Sequence, residues 1–150
     1  MKPLVLFICL AAISLSVSAQ KPMTYKMLVP KSMKKYKFGM SHEAFTQKNK
    51  NLQNKSYFSF RYEYHIESPS REVKMLTLYF DTQGEQPLYE LIIEYHDPAV
   101  RDAFIERNYG KPNDGRQWAW KLPDGLTAKA WTFMDNLIIT VLYPGTEHAR

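Results

Sequence analysis

Phe38-Gly39-Met40-Ser41-His42-Glu43-Ala44-Phe45 carries the signals that start a helix after a turn. Glycine accepts backbone conformations that side chains oppose, so Gly39 marks the turn. Ser41 can accept a hydrogen bond from a free amide of the first helical turn. Glu43 then places a negative charge where the helix dipole favours it. Ala44 stands where a capping box requires Glu or Gln, so the box is absent. Met40, Ala44, Phe45 and Leu52 trace a thin apolar stripe interrupted by Lys48. Such a helix must lean on another element for its stability.

That element is predicted to follow directly. From Tyr57 to Glu67, Phe58, Phe60, Tyr62, Tyr64 and Ile66 alternate with Ser59, Arg61, Glu63, His65 and Glu67. Period two makes this a strand with one apolar and one wet face. Val73–Asp81 and Leu88–Tyr95 read as two more strands, separated by turn-forming Ser68-Pro69-Ser70 and Thr82-Gln83-Gly84-Glu85. A second helix starts at Asp97-Pro98 and closes at Gly110, with Pro112 preventing continuation. Arg116–Lys121, Thr127–Phe133 and Leu137–Tyr143 are then three further strands, the last two joined at Asp135-Asn136. The expected fold is α+β: two αβββ units forming antiparallel sheet, with both helices packed on one face.

Upstream, Met1–Ala19 reads as a cleaved signal peptide, with Lys2 before an apolar run and small residues ahead of a cut near Ala19/Gln20. The run is short for a membrane span, so no span is expected in the mature chain. Residues 20–37 read as a basic leader and 38–150 as a single domain. The sole cysteine, Cys9, lies within the apolar run, so the exported domain must hold together without disulfides. A periplasmic or extracellular location follows.

Between Lys21 and Lys55 there are nine lysines and one acid, whereas ten basic and fourteen acidic residues follow from Ser56 onward. In the leader, Lys34, Lys35 and Lys37 interleave with Tyr36 and Phe38, a pattern that points aromatics inward and ammonium groups into water. A basic arm of this kind can attract anionic lipid, acidic glycan or an acidic protein face, although a solvated tether is the more economical reading. Nucleic acid is a poor expectation for an exported chain.

Gly39-Met40-Ser41-His42-Glu43 and Tyr109-Gly110-Lys111-Pro112 give the chain a resemblance to small envelope domains of the SmpA/OmlA type and to β-lactamase-inhibitor-protein-like repeats. In those families a Gly-Met-Thr/Ser helix start and a Gly-x-Pro exit bracket one helical region. Here they fall in different halves, and the lipobox cysteine of the assembly lipoprotein is missing. The resemblance implies an envelope or secreted binding module without catalytic residues.

The residues support little chemistry. No HExxH, GxSxG or CxxC occurs, and residues 20–150 offer no thiol nucleophile. Glu63, His65 and Glu67 share the wet face of one strand, with neighbours roughly 7 Å apart. They would hold a metal or perform acid–base work only if another strand supplied a partner. A solvated face with cross-strand charge pairs is the more economical reading.

Aromatic residues concentrate in the predicted strands, and such side chains anchor interfaces or stack on sugar rings. Trp118, Trp120 and Trp131 are the candidates for an exposed binding patch, with Lys34, Lys35 and Lys37 as a second handle. The sequence thus leads to a non-catalytic secreted or periplasmic binding module that contacts a protein or envelope component and needs no cofactor. A small metal-dependent hydrolase or a carbohydrate-binding module is the alternative.

Overall fold

Gly39 lies at φ +81°, and a Cβ there would sit 2.9 Å from the Tyr143 hydroxyl. Both conformation and space therefore require glycine. In the computed structural model, which describes residues 22–146, this turn is laced to the sheet. The Gly39 N–H donates to Leu88 O at 2.9 Å, the Leu88 N–H to Met40 O at 2.9 Å, and the His42 N–H to Gln86 O at 3.0 Å. The segment read as a signal peptide lies outside the described residues.

Three α-helices occur among the described residues: α1 (Tyr25–Leu28), α2 (His42–Lys48) and α3 (Pro98–Asn108). Ser41 caps α2 by accepting from the Ala44 N–H at 3.2 Å. The helix stops at Asn49, whose side-chain Nδ2 donates back to the Phe45 carbonyl at 2.8 Å. Asp97 caps α3 through the Ala99 N–H at 2.8 Å, and Pro98 opens its first turn. Gly110, at φ +67°, follows the end of α3.

The strands are β1 (Arg61–Glu67), β2 (Val73–Asp81), β3 (Leu88–Tyr95), β4 (Trp118–Lys121), β5 (Thr127–Phe133) and β6 (Asn136–Leu142). They form one antiparallel sheet in the order β1-β2-β3-β6-β5-β4. Each αβββ unit is a meander, because its strands are joined by short turns. The units meet through their third strands, with Leu91 opposite Ile139 and Ile93 opposite Leu137. The sheet therefore has an approximate two-fold arrangement about the β3–β6 pair.

Register decides what each face carries. One row across the sheet runs Tyr64, Leu78, Leu91, Ile139, Ala130 and Trp118. Side chains of such a row share a face, and all six are buried. Both longer helices pack on this face. Phe45 of α2 lies 4.9 Å from the rings of Tyr64 and Phe80. Tyr109, just after α3, lies 5.6 Å from Trp118 and 4.8 Å from Trp120. Ala128 and Ala130 on β5 leave room for the indoles opposite them on β4.

Two stretches differ from the sequence expectation. The leader is no surface tether: Met23, Leu28, Val29, Met33 and Tyr36 are buried in the common core. It contains α1 and a 3₁₀ turn at Lys31–Met33. The Tyr109 hydroxyl donates to the Leu28 carbonyl and holds the leader to the end of α3. The alternation from Tyr57 also breaks before β1. Ser56 Oγ hydrogen-bonds the Phe58 N–H and carbonyl, each at 3.1 Å, and residues 57–60 bend. Phe58 and Phe60 consequently flank the Arg61 guanidinium, at 5.0 and 5.6 Å, instead of continuing the row of Tyr62.

Candidate functional site

One flank of α3 lines an open groove. Ala99, Ala103 and Arg107 recur every fourth residue, beside a parallel row of Val100, Phe104 and Asn108. Residues four apart on a helix stack on one side. The small side chains of Ala99 and Ala103 keep that side shallow. The leader from Lys26 to Lys34 faces this flank across a groove of about 840 Å³, and the β1–β2 turn at Ser70-Arg71-Glu72 also lines it. This is within the size range of small-molecule sites.

Charge and burial divide the groove into two zones. Lys26, Lys31, Lys34, Arg71 and Arg107 are exposed around it, and Glu72 is the only acid among the lining residues. Like charges crowded along a concave surface raise the local concentration of anions. Beneath them lie the buried Val29 and Pro30 and the half-buried Val100 and Phe104.

Tyr95, at the end of β3, also lines the groove and is only 2% exposed. Among the described residues its hydroxyl has no hydrogen-bond partner. Burial pushes its pKa up, Glu72 adds to the rise and Arg101 opposes it, so the phenol stays protonated and able to donate. Leaving a buried polar group unpaired costs about 1–3 kcal/mol.

No family model, no curated protein and no solved structure matches this chain.

The opposite face of the sheet carries the residues of the hydrolase alternative. His65 Nε2 lies 2.8 Å from Glu63 Oε1, and Arg61 Nη2 lies 3.6 Å from Glu63 Oε2. Glu67 is exposed at the end of β1. Among the described residues, no group of three or more His, Cys, Asp or Glu side chains is placed to hold a metal ion. The Arg61 guanidinium lies 4.0 Å over the Tyr79 ring, and its Nε is buried without a hydrogen-bond partner. On β3, burial pushes the Glu90 carboxyl up to about 7, only partly countered by Arg61.

The sequence candidates separate in space. Trp118 is buried, its indole N–H donating to Gly110 O at 3.0 Å. Trp120 packs on Tyr109 from the same side of the sheet. Trp131 pairs with Ile138 and points to the opposite face. The three indoles therefore form no common exposed patch, which corrects the expectation drawn from their neighbouring strands. Lys34 lines the groove, Lys35 lies 4.9 Å over the Tyr36 ring, and Lys37 is exposed without lining it.

Sequence reasoning missed Tyr95, Arg71 and the groove as a unit. The lysine excess of the leader was the available signal, together with the paired Ala99 and Ala103 on the flank that carries Arg107.

His42 occupies a separate aromatic cage. It stacks on Tyr62 at 3.9 Å and shares a 2.8 Å hydrogen bond with the Tyr64 hydroxyl. Burial lowers its pKa, with a hydrogen bond to Gln86 working against the shift. These contacts complete the start of α2 and leave His42 tied into the core.

Proposed function

We propose that this chain is an exported, non-catalytic binding module that holds an anionic component of the cell envelope in the groove between its leader and α3. The observation that carries the reading is the groove itself: five basic side chains and one acid around an apolar floor with an unpartnered tyrosine hydroxyl. Export is supported by the signal-like Met1–Ala19, and the resemblance at Gly39–Glu43 and Tyr109–Pro112 favours an envelope setting. Among the described residues no helix is long and apolar enough to cross a membrane.

The test is co-sedimentation of the mature protein with an envelope fraction at low and high salt. Wild type should sediment at low salt and be released at high salt, because screening weakens exposed charge pairs. Lys31→Glu, Lys34→Glu and Arg107→Glu together should abolish binding, while Lys121→Glu with Lys129→Glu on the other face should leave it intact. Binding that survives the groove reversal, or no binding in any condition, would overturn the reading. Mass analysis of protein exported by a bacterial host should find Gln20 at its N-terminus.

A further inference from the structure

We infer that the groove takes a small amphiphilic anion, a carboxylate or monophosphate group attached to an apolar body. The inference rests on the proposed binding role and names the ligand class of that same site. A bare inorganic anion could use the ammonium and guanidinium groups of the rim, but it would gain nothing from the floor of Val29, Val100 and Phe104. A neutral apolar molecule would use the floor and leave the rim cations without partners. A molecule with both parts uses both zones, which is the usual composition of small-molecule sites: mainly apolar lining with a few polar anchors.

The Tyr95 hydroxyl supplies a second and independent pointer. It is buried, protonated and without a partner among the described residues, on a side chain that lines the groove. A ligand oxygen that reaches it converts an unpaired donor into a charge-assisted hydrogen bond, the stronger kind. Ala99 and Ala103 set the width available to the apolar body, because the helix flank carries no bulk at those two positions.

Titration calorimetry on the mature protein with octyl phosphate, octanoate, inorganic phosphate and octanol tests this directly. Octyl phosphate or octanoate should bind saturably, with phosphate alone and octanol alone at least about tenfold weaker. Tyr95→Phe should weaken the amphiphile about fivefold without lowering the melting midpoint, since it removes an unpaired hydroxyl. Ala103→Trp should block the groove without altering a charge, and circular dichroism would show whether that variant folds. Ala99→Leu is the milder second variant.

Inorganic phosphate binding as tightly as octyl phosphate would reduce the site to a simple counter-ion cluster and overturn the inference. Equal binding by a folded Ala103→Trp or Ala99→Leu variant would place the ligand elsewhere, with the same consequence. Binding to vesicles of anionic phospholipid without binding of either soluble amphiphile would replace the small ligand by a membrane surface. If the soluble amphiphiles fail while sedimentation still depends on Lys31, Lys34 and Arg107, the ligand class falls and the groove reading stands. If sedimentation is also indifferent to those residues, both fall.

Discussion

The carboxamide of Asn113 meets both main-chain groups of Ala119: its Nδ2 donates to the Ala119 carbonyl at 2.9 Å, and its Oδ1 accepts the Ala119 N–H at 2.8 Å. Ala119 lies on β4, an outer strand, so this side chain takes the place of a neighbouring strand. The other outer strand is treated alike. Asn54 Oδ1 accepts the Glu63 N–H at 2.9 Å, and the Lys55 N–H donates to Glu63 O at 2.7 Å. Unpaired strand edges invite pairing with another chain, and both edges of this sheet are blunted by asparagine.

Asn113→Ala should therefore cost about 1 kcal/mol, a net value for exposed hydrogen bonds. Its larger effect should be on self-association. Combined with Asn54→Ala it should raise light scattering on gentle heating, well before global unfolding by circular dichroism. Unchanged scattering in the double variant would mean that the edges are protected by something other than these two side chains.

Gly39 provides a second case in which one position answers two demands. Gly39→Ala meets an unfavourable φ of +81° and the Tyr143 hydroxyl at 2.9 Å. The expected loss is about 1–3 kcal/mol. The two causes separate in a double-mutant cycle with Tyr143→Phe, which removes the clashing oxygen but leaves the backbone strained. Chemical denaturation should show Gly39→Ala costing less in the Tyr143→Phe background than in wild type. Strictly additive losses would assign the whole effect to the backbone.

Glu90 and His42 give stability opposing dependences on pH. The folded Glu90 pKa is raised from 4.5 to about 7, so the folded state holds a proton that the unfolded chain has released. Its contribution is fully present below 4.5 and is lost as pH rises through about 7. His42 has a folded pKa lowered from 6.5, so its contribution is present above 6.5 and declines as pH falls below that value. Glu90→Gln, which keeps the shape and removes the charge, should raise stability above pH 7 by up to about 3 kcal/mol. It should change little in acid, and it should unmask the His42 slope as a loss of stability below neutrality. Denaturant midpoints across a pH series measure both. A Glu90→Gln profile parallel to wild type would show that Glu90 titrates normally.

How far the fold could be read in advance follows from where local signals suffice. The second helix was legible because Asp97, Pro98 and Gly110 act on their own backbone neighbours. The meander of three strands was legible because turns interrupt period-two segments. The tryptophans were not, because a face is a property of register. Trp118 and Trp120 must share a face, being two apart on one strand. Only the pairing of Trp118 with Ala130 sends Trp131 to the other side. The leader escaped for a different reason. Its buried Met23, Leu28, Val29, Met33 and Tyr36 sit on a four-residue helix, a 3₁₀ turn and the links between them. Pieces that short impose no period on the sequence. The groove inherits this blindness, since one of its walls is the leader and Tyr95 reads in sequence as an ordinary strand aromatic.

Tyr109 is the position where the leader's role can be isolated. Its ring packs among Phe104, Trp118 and Trp120, and its hydroxyl donates to the Leu28 carbonyl far away in sequence. Tyr109→Phe keeps the ring and leaves that buried carbonyl without this donor, at an expected cost of about 1–3 kcal/mol. The damage should be local before it is global, because the leader is attached through few such contacts. Limited trypsin digestion should then cut the variant at Lys26, Lys31 or Lys34 under conditions that leave wild type intact, with the sheet still folded by circular dichroism. Loss of the groove should accompany it, so octyl phosphate binding should fall together with protection of the leader. Cleavage rates equal to wild type would mean that the core contacts of Met23, Leu28 and Met33 fix the leader without the hydroxyl.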